Sequence, residues 1–207
     1  MPPTLLDHPL AADLLTRLRA RGTSPADFRE LSRRLAVVLV LEATRDLPVA
    51  QVEVRTPMAP TTGAKLWSGI VAVPVLRAGL GMLPAVLDLF PNADVGPVGL
   101  ERDELTLEPR EYYAKFPPLE ERQVLVLDPM LATGGSGSAA CAAVKRAGAS
   151  DIRFVCVVAA PEGIARMEGD HPDVPIVAAA VDERLDDSGF IVPGLGDFGD
   201  RLFGTSS

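Results

Sequence analysis

The sequence predicts an α/β protein with a parallel sheet that is flanked by helices on both faces. Short apolar runs rich in Val, Leu and Ile alternate with helical segments, as buried parallel strands and their crossover helices do. At 207 residues and 47% hydrophobic content, the chain is expected to form a single domain, 1–207, with a substantial core. The expected strands are residues 69–76, 98–100, 124–127, 152–159 and 176–181.

The helices are predicted from amphipathic patterns and from the residues that begin and end them. Residues 5–21 form the first helix, which Gly22 ends, while Ser24 and Pro25 begin the second as its N-cap and first residue. The apolar run 35–41 is more continuous than a surface helix needs, so we expect it to pack on the sheet or on a partner subunit. The remaining expected helices are residues 82–90, 138–147 and 161–167.

Two regions interrupt the alternation of strands and helices. Residues 101–122 are polar, charged and proline-bearing, and a connection of that length is usually a lid, an arm or an interface element. The tail 182–207 is rich in glycine and has only brief apolar runs, so it is the natural cap over a site. We therefore expect a protruding arm at 101–122 and a cap built from loop backbone at 182–207.

Charge and composition restrict the partners and the compartment. The formal net charge of −8 argues against a nucleic-acid partner. The chain has neither an apolar stretch of the roughly 18 residues that a membrane span needs nor a signal-peptide pattern, so we expect a cytoplasmic protein with no membrane partner. Cys141 and Cys156 are expected to be reduced core thiols, and His8 and His171, each before a proline, to be turn or helix-boundary residues.

The segment from Val124 to Ser138 is the most informative part of the chain. Four apolar residues end in Asp128, and a loop of small residues then leads into an Ala-rich helix. Glycines and hydroxyls let backbone N–H groups face outward at a helix N-terminus, where phosphate binds. A carboxylate at the end of the strand suits a sugar hydroxyl or a metal-bound water. The segment therefore predicts a phosphorylated sugar as the ligand.

Other interpretations of this segment remain open from the residues alone. Residues 135–140 fit the looser dinucleotide fingerprint G-x-G-x-x-G/A, and Glu162 follows at about the spacing of its ribose-binding acid. Against that, the fingerprint's first glycine normally follows the strand directly, whereas here 128–134 intervene. A Walker A loop is excluded because no Gly-Lys-Ser/Thr follows the glycines. A turn of small residues without a ligand is the third possibility.

A second loop, Arg77-Ala78-Gly79-Leu80-Gly81, follows the strand that ends at Leu76. It again places glycines and a cation at the carboxyl edge of a parallel sheet, and the guanidinium offers a fork suited to phosphate oxygens. Alone, the loop is equally well a tight turn with a solvated arginine. Two phosphate-seeking loops on one edge, however, favour a ligand that is phosphorylated at both ends.

The segment around Asp128 resembles the phosphoribosyl-diphosphate (PRPP) motif of type I phosphoribosyltransferases. The residues of 128–136 resemble in particular those of the uracil phosphoribosyltransferases. Most type I members have two adjacent acids here, and Pro129 replaces the second, as is usual in the uracil branch. The similarity continues, in the family's order, through residues 73–82, 106–109, 159–163 and 193–197.

The resemblance implies a type I phosphoribosyltransferase fold with a C-terminal base-binding cap, and it implies roles for particular residues. Arg77 and Arg102 would meet the diphosphate, and Asp128 and Asp197 would be the catalytic carboxylates, with Asp197 also meeting PRPP. The loop residues implied to bind PRPP are Asp128, Pro129, Met130, Leu131, Ala132, Thr133, Gly134, Gly135 and Ser136, of which residues 133–136 would hold the 5-phosphate. The residues implied to contact uracil are Ile191, Gly196, Asp197 and Phe198.

Three positions depart from the family pattern. Glu101 and Phe190 stand where tyrosine is common, and Phe198 stands where a small residue, often alanine, is common. Position 198 preserves uracil recognition if it contributes only backbone, whereas a ring that points inward would narrow the pocket.

The implied activity is the conversion of uracil and PRPP to UMP and diphosphate in pyrimidine salvage. The expected cofactor is Mg²⁺ carried by the diphosphate, because no His, Cys and carboxylate cluster has the spacing of a tight metal site. A transferase for another base and an RNA-binding regulator with this fold are the alternatives. Relatives form dimers or larger assemblies, so a homodimer or higher homo-oligomer is expected, and GTP activates some of them.

Overall fold

The computed structural model describes residues 1–66, 69–102 and 109–205. Within these ranges the helices are α1 (Pro9–Arg19), α2 (Pro25–Ala43), α3 (Leu83–Leu89), α4 (Gly135–Arg146), α5 (Pro161–Asp170) and α6 (Phe198–Phe203). The strands are β1 (Thr4–Leu5), β2 (Val49–Arg55), β3 (Pro60–Leu66), β4 (Ile70–Leu76), β5 (Asp94–Val95), β6 (Val98–Arg102), β7 (Pro109–Ala114), β8 (Gln123–Leu127), β9 (Met130–Leu131), β10 (Asp151–Ala159), β11 (Ile176–Val181), β12 (Arg184–Leu185) and β13 (Ile191–Val192).

The main sheet is parallel except at one edge, as the sequence predicts. Its strand order is β1-β11-β10-β8-β4-β6-β7, with β5 beside β4 and β9 beside β10. Only the last pair, β6 with β7, is antiparallel among the pairs of this sheet in the described ranges. The carboxyl ends of β4, β8 and β10 therefore lie side by side at one edge.

The central strands are buried on both faces, which explains their uninterrupted apolar sequence. In β8, Leu125 and Leu127 belong to the core layer under α1, α2, α3 and α6, whereas Val124 and Val126 belong to the layer under α4 and α5. Because successive side chains of a strand point to opposite faces, a strand covered on both sides is apolar along most of its length. The expectation of helices on both faces is confirmed.

The first helix is shorter than the sequence suggests. It begins at Pro9, with the His8 ring nitrogen accepting a hydrogen bond from the N–H of Leu10 as N-cap, and residues 4–5 pair with β11 as an edge strand. The prediction that the helix starts at residue 5 was wrong. Leu5 and Leu6 extend the apolar pattern of the helix toward the N-terminus, but they lie outside it. The start of α2 is confirmed, since the Ser24 side chain accepts from the N–H of Asp27.

The apolar run of α2 packs on the sheet rather than being left for a partner. Leu35, Ala36, Leu39 and Val40 are fully buried in the core layer that includes β10, while Leu41 is exposed. The first of the two alternatives offered by the sequence is therefore correct for most of this run.

Two strand pairs were not anticipated. Strands β2 and β3 form an antiparallel hairpin separate from the main sheet, with mostly exposed side chains. The expected long connection at 101–122 begins in β6 and contains β7, which pair with each other at the sheet edge. Strand β2 alternates apolar and polar residues from Ala50 to Arg55, a strand signal that was missed, whereas β3 and β7 have no clear alternation. No helix within the described ranges combines the length and apolar character that a membrane crossing requires.

Candidate active site

A cleft lies at the carboxyl edge of the main sheet, where ligands of such folds bind. It consists of two neighbouring pockets. The first, the loop pocket, has a volume of about 250 Å³ and lies between the loops after β4 and β8. Its lining includes Arg77, Ala78, Asp128, Met130, Leu131, Ala132, Thr133, Gly134, Gly135 and Ser136. The sequence thus correctly places the two loops next to each other.

The loop after β8 presents unpaired backbone donors. Helix α4 begins at Gly135, three residues before the predicted start, so the loop glycines form its N-terminus. The N–H groups of Thr133, Gly134, Ser136 and Gly137 have no hydrogen-bond partner within the described ranges. Such a row of N–H groups at the positive end of a helix is suited to an anion.

Close packing against α5 fixes the path of this loop. Gly134 has φ +78°, and a Cβ built there would lie 2.8 Å from the carbonyl oxygen of Gly163. A Cβ on Gly163 would in turn lie 2.5 Å from the carbonyl oxygen of Ala132 and 2.7 Å from that of Leu131. Both positions therefore need glycine, and the first turn of α5 supports the loop from behind.

Asp128 is a buried carboxylate at the end of β8, only 9% exposed. The backbone N–H of Met130 donates to its Oδ1 at 3.4 Å. Burial raises the pKa of Asp128 from 3.8 to about 7, and the bond from Met130 opposes that shift only in part. A carboxyl group that is poised near neutral pH in a cleft is typical of a functional site.

Arg77 stands at the mouth of the loop pocket and leans toward the C-terminal segment. Its guanidinium lies 3.8 Å from Asp200 and 5.5 Å above the ring of Phe203, and its side chain is 61% exposed. The turn that carries it is tight, because a Cβ on Gly79 would lie 2.2 Å from the carbonyl oxygen of Leu127. The loops after β4 and β8 are therefore packed backbone to backbone.

Arg102, the second predicted diphosphate ligand, is the last residue of β6, two strands from β8 in the sheet. Its side chain lies outside the described part of the structure, as do residues 106–108 of the family pattern.

The second pocket, the cap pocket, lies beside the first and has a volume of about 200 Å³. It is lined by Ile191, Gly196, Asp197, Phe198 and Gly199 together with Gly189 and Phe190, and it shares Ala78, Met130, Ala132 and Gly189 with the loop pocket. Neither the N–H nor the carbonyl of Gly196 makes a hydrogen bond within the described ranges. All four residues predicted to contact the base thus line one pocket.

The ring of Phe198 belongs to the core. It is 1% exposed and meets the ring of Phe28 edge to face at a centroid distance of 5.0 Å. It also sits against Gly81, where a Cβ would lie 3.1 Å from the Phe198 ring. The ring therefore packs beneath α2 instead of pointing into the cap pocket and narrowing it.

Several contacts that shape the site were not found from the sequence. Glu162, the acid of the dinucleotide alternative, accepts a hydrogen bond from the backbone N–H of Leu185 at 3.2 Å and so supports the cap. Asp182, Arg19 and Arg201 join the cap to α1. Asp182 directly follows β11, so an acid after a buried strand was an available signal, whereas nothing local marks the two arginines.

The cysteines and histidines behave as expected. Cys141 and Cys156 are buried and free, and burial raises the pKa of the Cys141 thiol to about 12. His8 caps α1, and His171 ends α5. The His171 ring lies 3.2 Å from the hydroxyl of Ser138, which ties α5 to α4 away from the cleft.

Comparison with known proteins gives a consistent result along the chain. The family model described as uracil phosphoribosyltransferase matches residues 5–205. The uracil phosphoribosyltransferase of Alkaliphilus oremlandii is 53% identical over 205 residues, covering 98% of each chain. That of Geobacillus kaustophilus is 52% identical over 204 residues, covering 97% of each chain.

Solved structures agree with this result. The AQ2163 protein from Aquifex aeolicus superimposes with a TM-score of 0.94 at 41% identity, covering 99% of each chain. The orotate phosphoribosyltransferase of Mycobacterium tuberculosis, solved with PRPP, gives a TM-score of 0.51 at 15% identity and covers 85% of this chain and 91% of its own. The second likeness concerns the fold alone.

Proposed function

We propose, since this chain belongs to the uracil phosphoribosyltransferase family, that its loop pocket and cap pocket are where PRPP and uracil react. The activity is that of a pentosyltransferase, which converts uracil and PRPP to UMP and diphosphate in pyrimidine salvage. The single observation that carries the assignment of the site is that the two pockets share four lining residues. One substrate can therefore lie on the unpaired N–H groups of the loop after β8 (residues 128–136, the phosphate loop), while the other lies against the cap.

PRPP is assigned to the loop pocket. Residues 133–136 would receive the 5-phosphate, because the N–H groups of Thr133, Gly134 and Ser136 lie at a helix N-terminus without protein partners. Asp128 would face the ribose hydroxyls, and Arg77 and Arg102 would meet the diphosphate. The remaining loop positions, Pro129, Met130, Leu131 and Ala132, would contact PRPP along its length.

Uracil is assigned to the cap pocket. Its planar ring carries two carbonyls and two N–H groups, which backbone groups at its edges can match. The free N–H and carbonyl of Gly196 are such groups, and Ile191, Asp197 and Phe198 lie beside them. A site that satisfies these groups rejects analogues that lack them.

The chemistry requires positioning and charge stabilisation rather than a protein nucleophile. The bond between C1 of the ribose and the diphosphate oxygen breaks, and its electron pair leaves with diphosphate. N1 of uracil forms the new bond to C1 from the opposite face, and its proton is released to water. Ionised Asp128 would stabilise the positive charge that develops on the ribose ring, Arg77 would neutralise the leaving group, and Asp197 would orient the base.

Mg²⁺ is the proposed cofactor. Within the described ranges no group of three or more His, Cys, Asp or Glu side chains is placed to hold a metal ion. Diphosphate oxygens and water are the ligands that Mg²⁺ prefers when the protein offers few carboxylates. The ion supplies charge neutralisation of the diphosphate, and Asp128 is the carboxylate of the loop pocket that would face it.

The assembly, activator and location are further parts of the proposal. The hairpin β2–β3 supports a homodimer or higher homo-oligomer, because an isolated hairpin is marginal in water and this one exposes Val49, Val54, Met58 and Leu66. GTP activation rests on the resemblance alone. A cytoplasmic location is proposed because PRPP and UMP are highly charged and do not cross membranes unaided.

The test is a direct assay of the whole protein with PRPP, Mg²⁺ and each nucleobase in turn, with and without GTP. We expect UMP and diphosphate with uracil and no nucleotide with the other bases. Formation of no UMP, or of another nucleotide in preference, would overturn the proposal. The Cys141→Ser variant, altered in a buried residue outside the cleft, serves as a control for general damage to the protein.

A further inference from the structure

The cap has little regular structure of its own. Between β11 and α6 the only ladder within the described ranges joins the two-residue strands β12 and β13. Backbone hydrogen bonds within the segment therefore fix little of its position. Side-chain contacts between the cap and the rest of the chain must therefore hold it in place.

The first such contact is centred on Asp182, which is 8% exposed. Arg19 donates to its two carboxylate oxygens at 2.7 and 2.6 Å, and the backbone N–H of Gly194 donates to Oδ2 at 2.8 Å. The same arginine donates to the carbonyl of Gly194 at 2.7 Å. Both backbone groups of Gly194 are thus held by one charged pair.

The second contact is centred on Arg201. It donates from Nη1 to the carbonyls of Leu18 at 2.6 Å and Leu195 at 2.7 Å, and from Nη2 to the carbonyl of Ala20 at 2.7 Å. Its guanidinium also lies 4.5 Å above the ring of Phe28. A cation at the C-terminal end of α1 is favourable because the last carbonyls of a helix are unpaired and partially negative.

These contacts fix the two residues that precede Gly196, which lines the cap pocket. Gly194 and Leu195 immediately precede Gly196, whose own N–H and carbonyl are free. Both arginines fix residues 194–195 relative to the C-terminal end of α1. Leu14 and Leu18 of that helix are buried in the core. The position of Gly196 is therefore set by a rigid helix that does not line either pocket.

We infer that Arg19, Asp182 and Arg201 are positioning residues that determine affinity and selectivity for uracil without contacting it. The inference rests on the proposed function, because it assumes that uracil lies in the cap pocket. A misplacement of about 1 Å at a reacting site is enough to cost on the order of a hundredfold in rate. Loosening residues 194–196 should weaken uracil binding before PRPP binding, because the loop pocket is held by other elements.

The experiment compares three variants of the whole protein: Arg201→Met, Arg201→Lys and Asp182→Asn. Methionine keeps the apolar stem over Phe28 and removes the donors, while lysine keeps the charge. We expect Arg201→Met and Asp182→Asn to raise the KM for uracil about tenfold, a loss of about 1.4 kcal/mol, and to leave the KM for PRPP within about twofold. Arg201→Lys should lie between these variants and wild type. The preference for uracil over 4-thiouracil should fall in the same order.

Arg153→Met is the matched control for a merely structural role. Arg153 is also a largely buried arginine that donates to a carbonyl at the end of a helix, in this case Ala43 of α2, and it pairs with Asp46. Its position near the amino end of β10 is remote from both pockets. We expect its melting temperature to fall with both KM values unchanged.

The outcomes separate the two proposals. Wild-type protein that forms no UMP would overturn the proposed function. Active wild type, with variants that keep the wild-type KM for uracil and selectivity, would overturn only the positioning role. An equal rise of both KM values, or the same changes in Arg153→Met, would also overturn it, because a general loss of structure would then be the cause.

Discussion

The two halves of the cleft are built in different ways. Most of the loop pocket is formed by two short segments, one after β4 and one at the junction of β8 and α4, and tight glycine contacts with α5 fix the shape of the second. The cap pocket is formed by a segment with little regular structure, which is held in place by contacts with α1, a helix far away in the sequence. A motif can carry the first kind of site, whereas the second depends on the completed fold.

The largest expected effect tests whether the cap shares the main core. Phe198→Ala should lower the free energy of unfolding by about 3–5 kcal/mol, because it removes a buried ring that contacts Phe28. Chemical denaturation measures the change. Phe203→Ala, at an exposed ring five residues further on in α6, should cost less than about 1 kcal/mol and is the control. Equal effects of the two substitutions would mean that the cap does not pack as an extension of the core.

The next prediction concerns Asp128 in the loop pocket. Asp128→Asn should lower kcat/KM by about a hundredfold to a thousandfold, because it removes a preorganised charge from the reacting ring. Steady-state kinetics with PRPP varied measures the loss. Near-wild-type turnover would remove Asp128 from the catalytic machinery.

The same variant has an opposite effect on stability. The folded pKa of Asp128, about 7, lies above its ordinary 3.8, so the native state binds the proton more tightly than the unfolded chain. Its contribution to stability is full below about pH 4 and is lost as the pH rises toward 7. Asp128→Asn should therefore melt at a higher temperature than wild type at about pH 8, with a smaller difference at about pH 4. A constant difference across this range would contradict the raised pKa.

Arg77 tests whether the diphosphate end of the cleft is independent of the cap. Arg77→Ala should lose about 2–3 kcal/mol of transition-state stabilisation, seen in kcat/KM for PRPP, because a charge-assisted contact disappears. The KM for uracil should change by less than about twofold. A larger change in the KM for uracil than in that for PRPP would show that the contacts of Arg77 with Asp200 and Phe203 serve the cap instead.

The smallest expected effect compares two glycines of α5. Gly163→Ala should destabilise the protein by about 1–3 kcal/mol and weaken PRPP binding, because its Cβ would meet the carbonyls of Leu131 and Ala132. Gly169→Ala has open space around its Cβ and should stabilise the helix by about 0.5–1 kcal/mol. Thermal melts and PRPP titrations of both variants measure these effects. Identical behaviour would exclude the close packing of α5 on the phosphate loop.

Much of this architecture could be predicted from the sequence. The order of strands and helices is readable because the central strands are buried on both faces, which leaves uninterrupted apolar runs such as 124–127. The adjacency of Asp128 and the Arg77 loop follows because parallel strands end at the same edge. The hairpin β2–β3 was missed although β2 alternates apolar and polar residues, because most of its side chains are exposed and the partner strand β3 has no such alternation.

The central strands and the glycine-rich phosphate loop are readable from the amino-acid sequence, since each depends on the chemistry of consecutive residues. The direction of the Phe198 ring, the burial that raises the pKa of Asp128 and the partners of Arg19 and Arg201 emerge only in the folded molecule. These features depend on contacts between residues far apart in the chain. Local sequence carries no record of such contacts, because burial and hydrogen-bond partners are properties of the packed molecule.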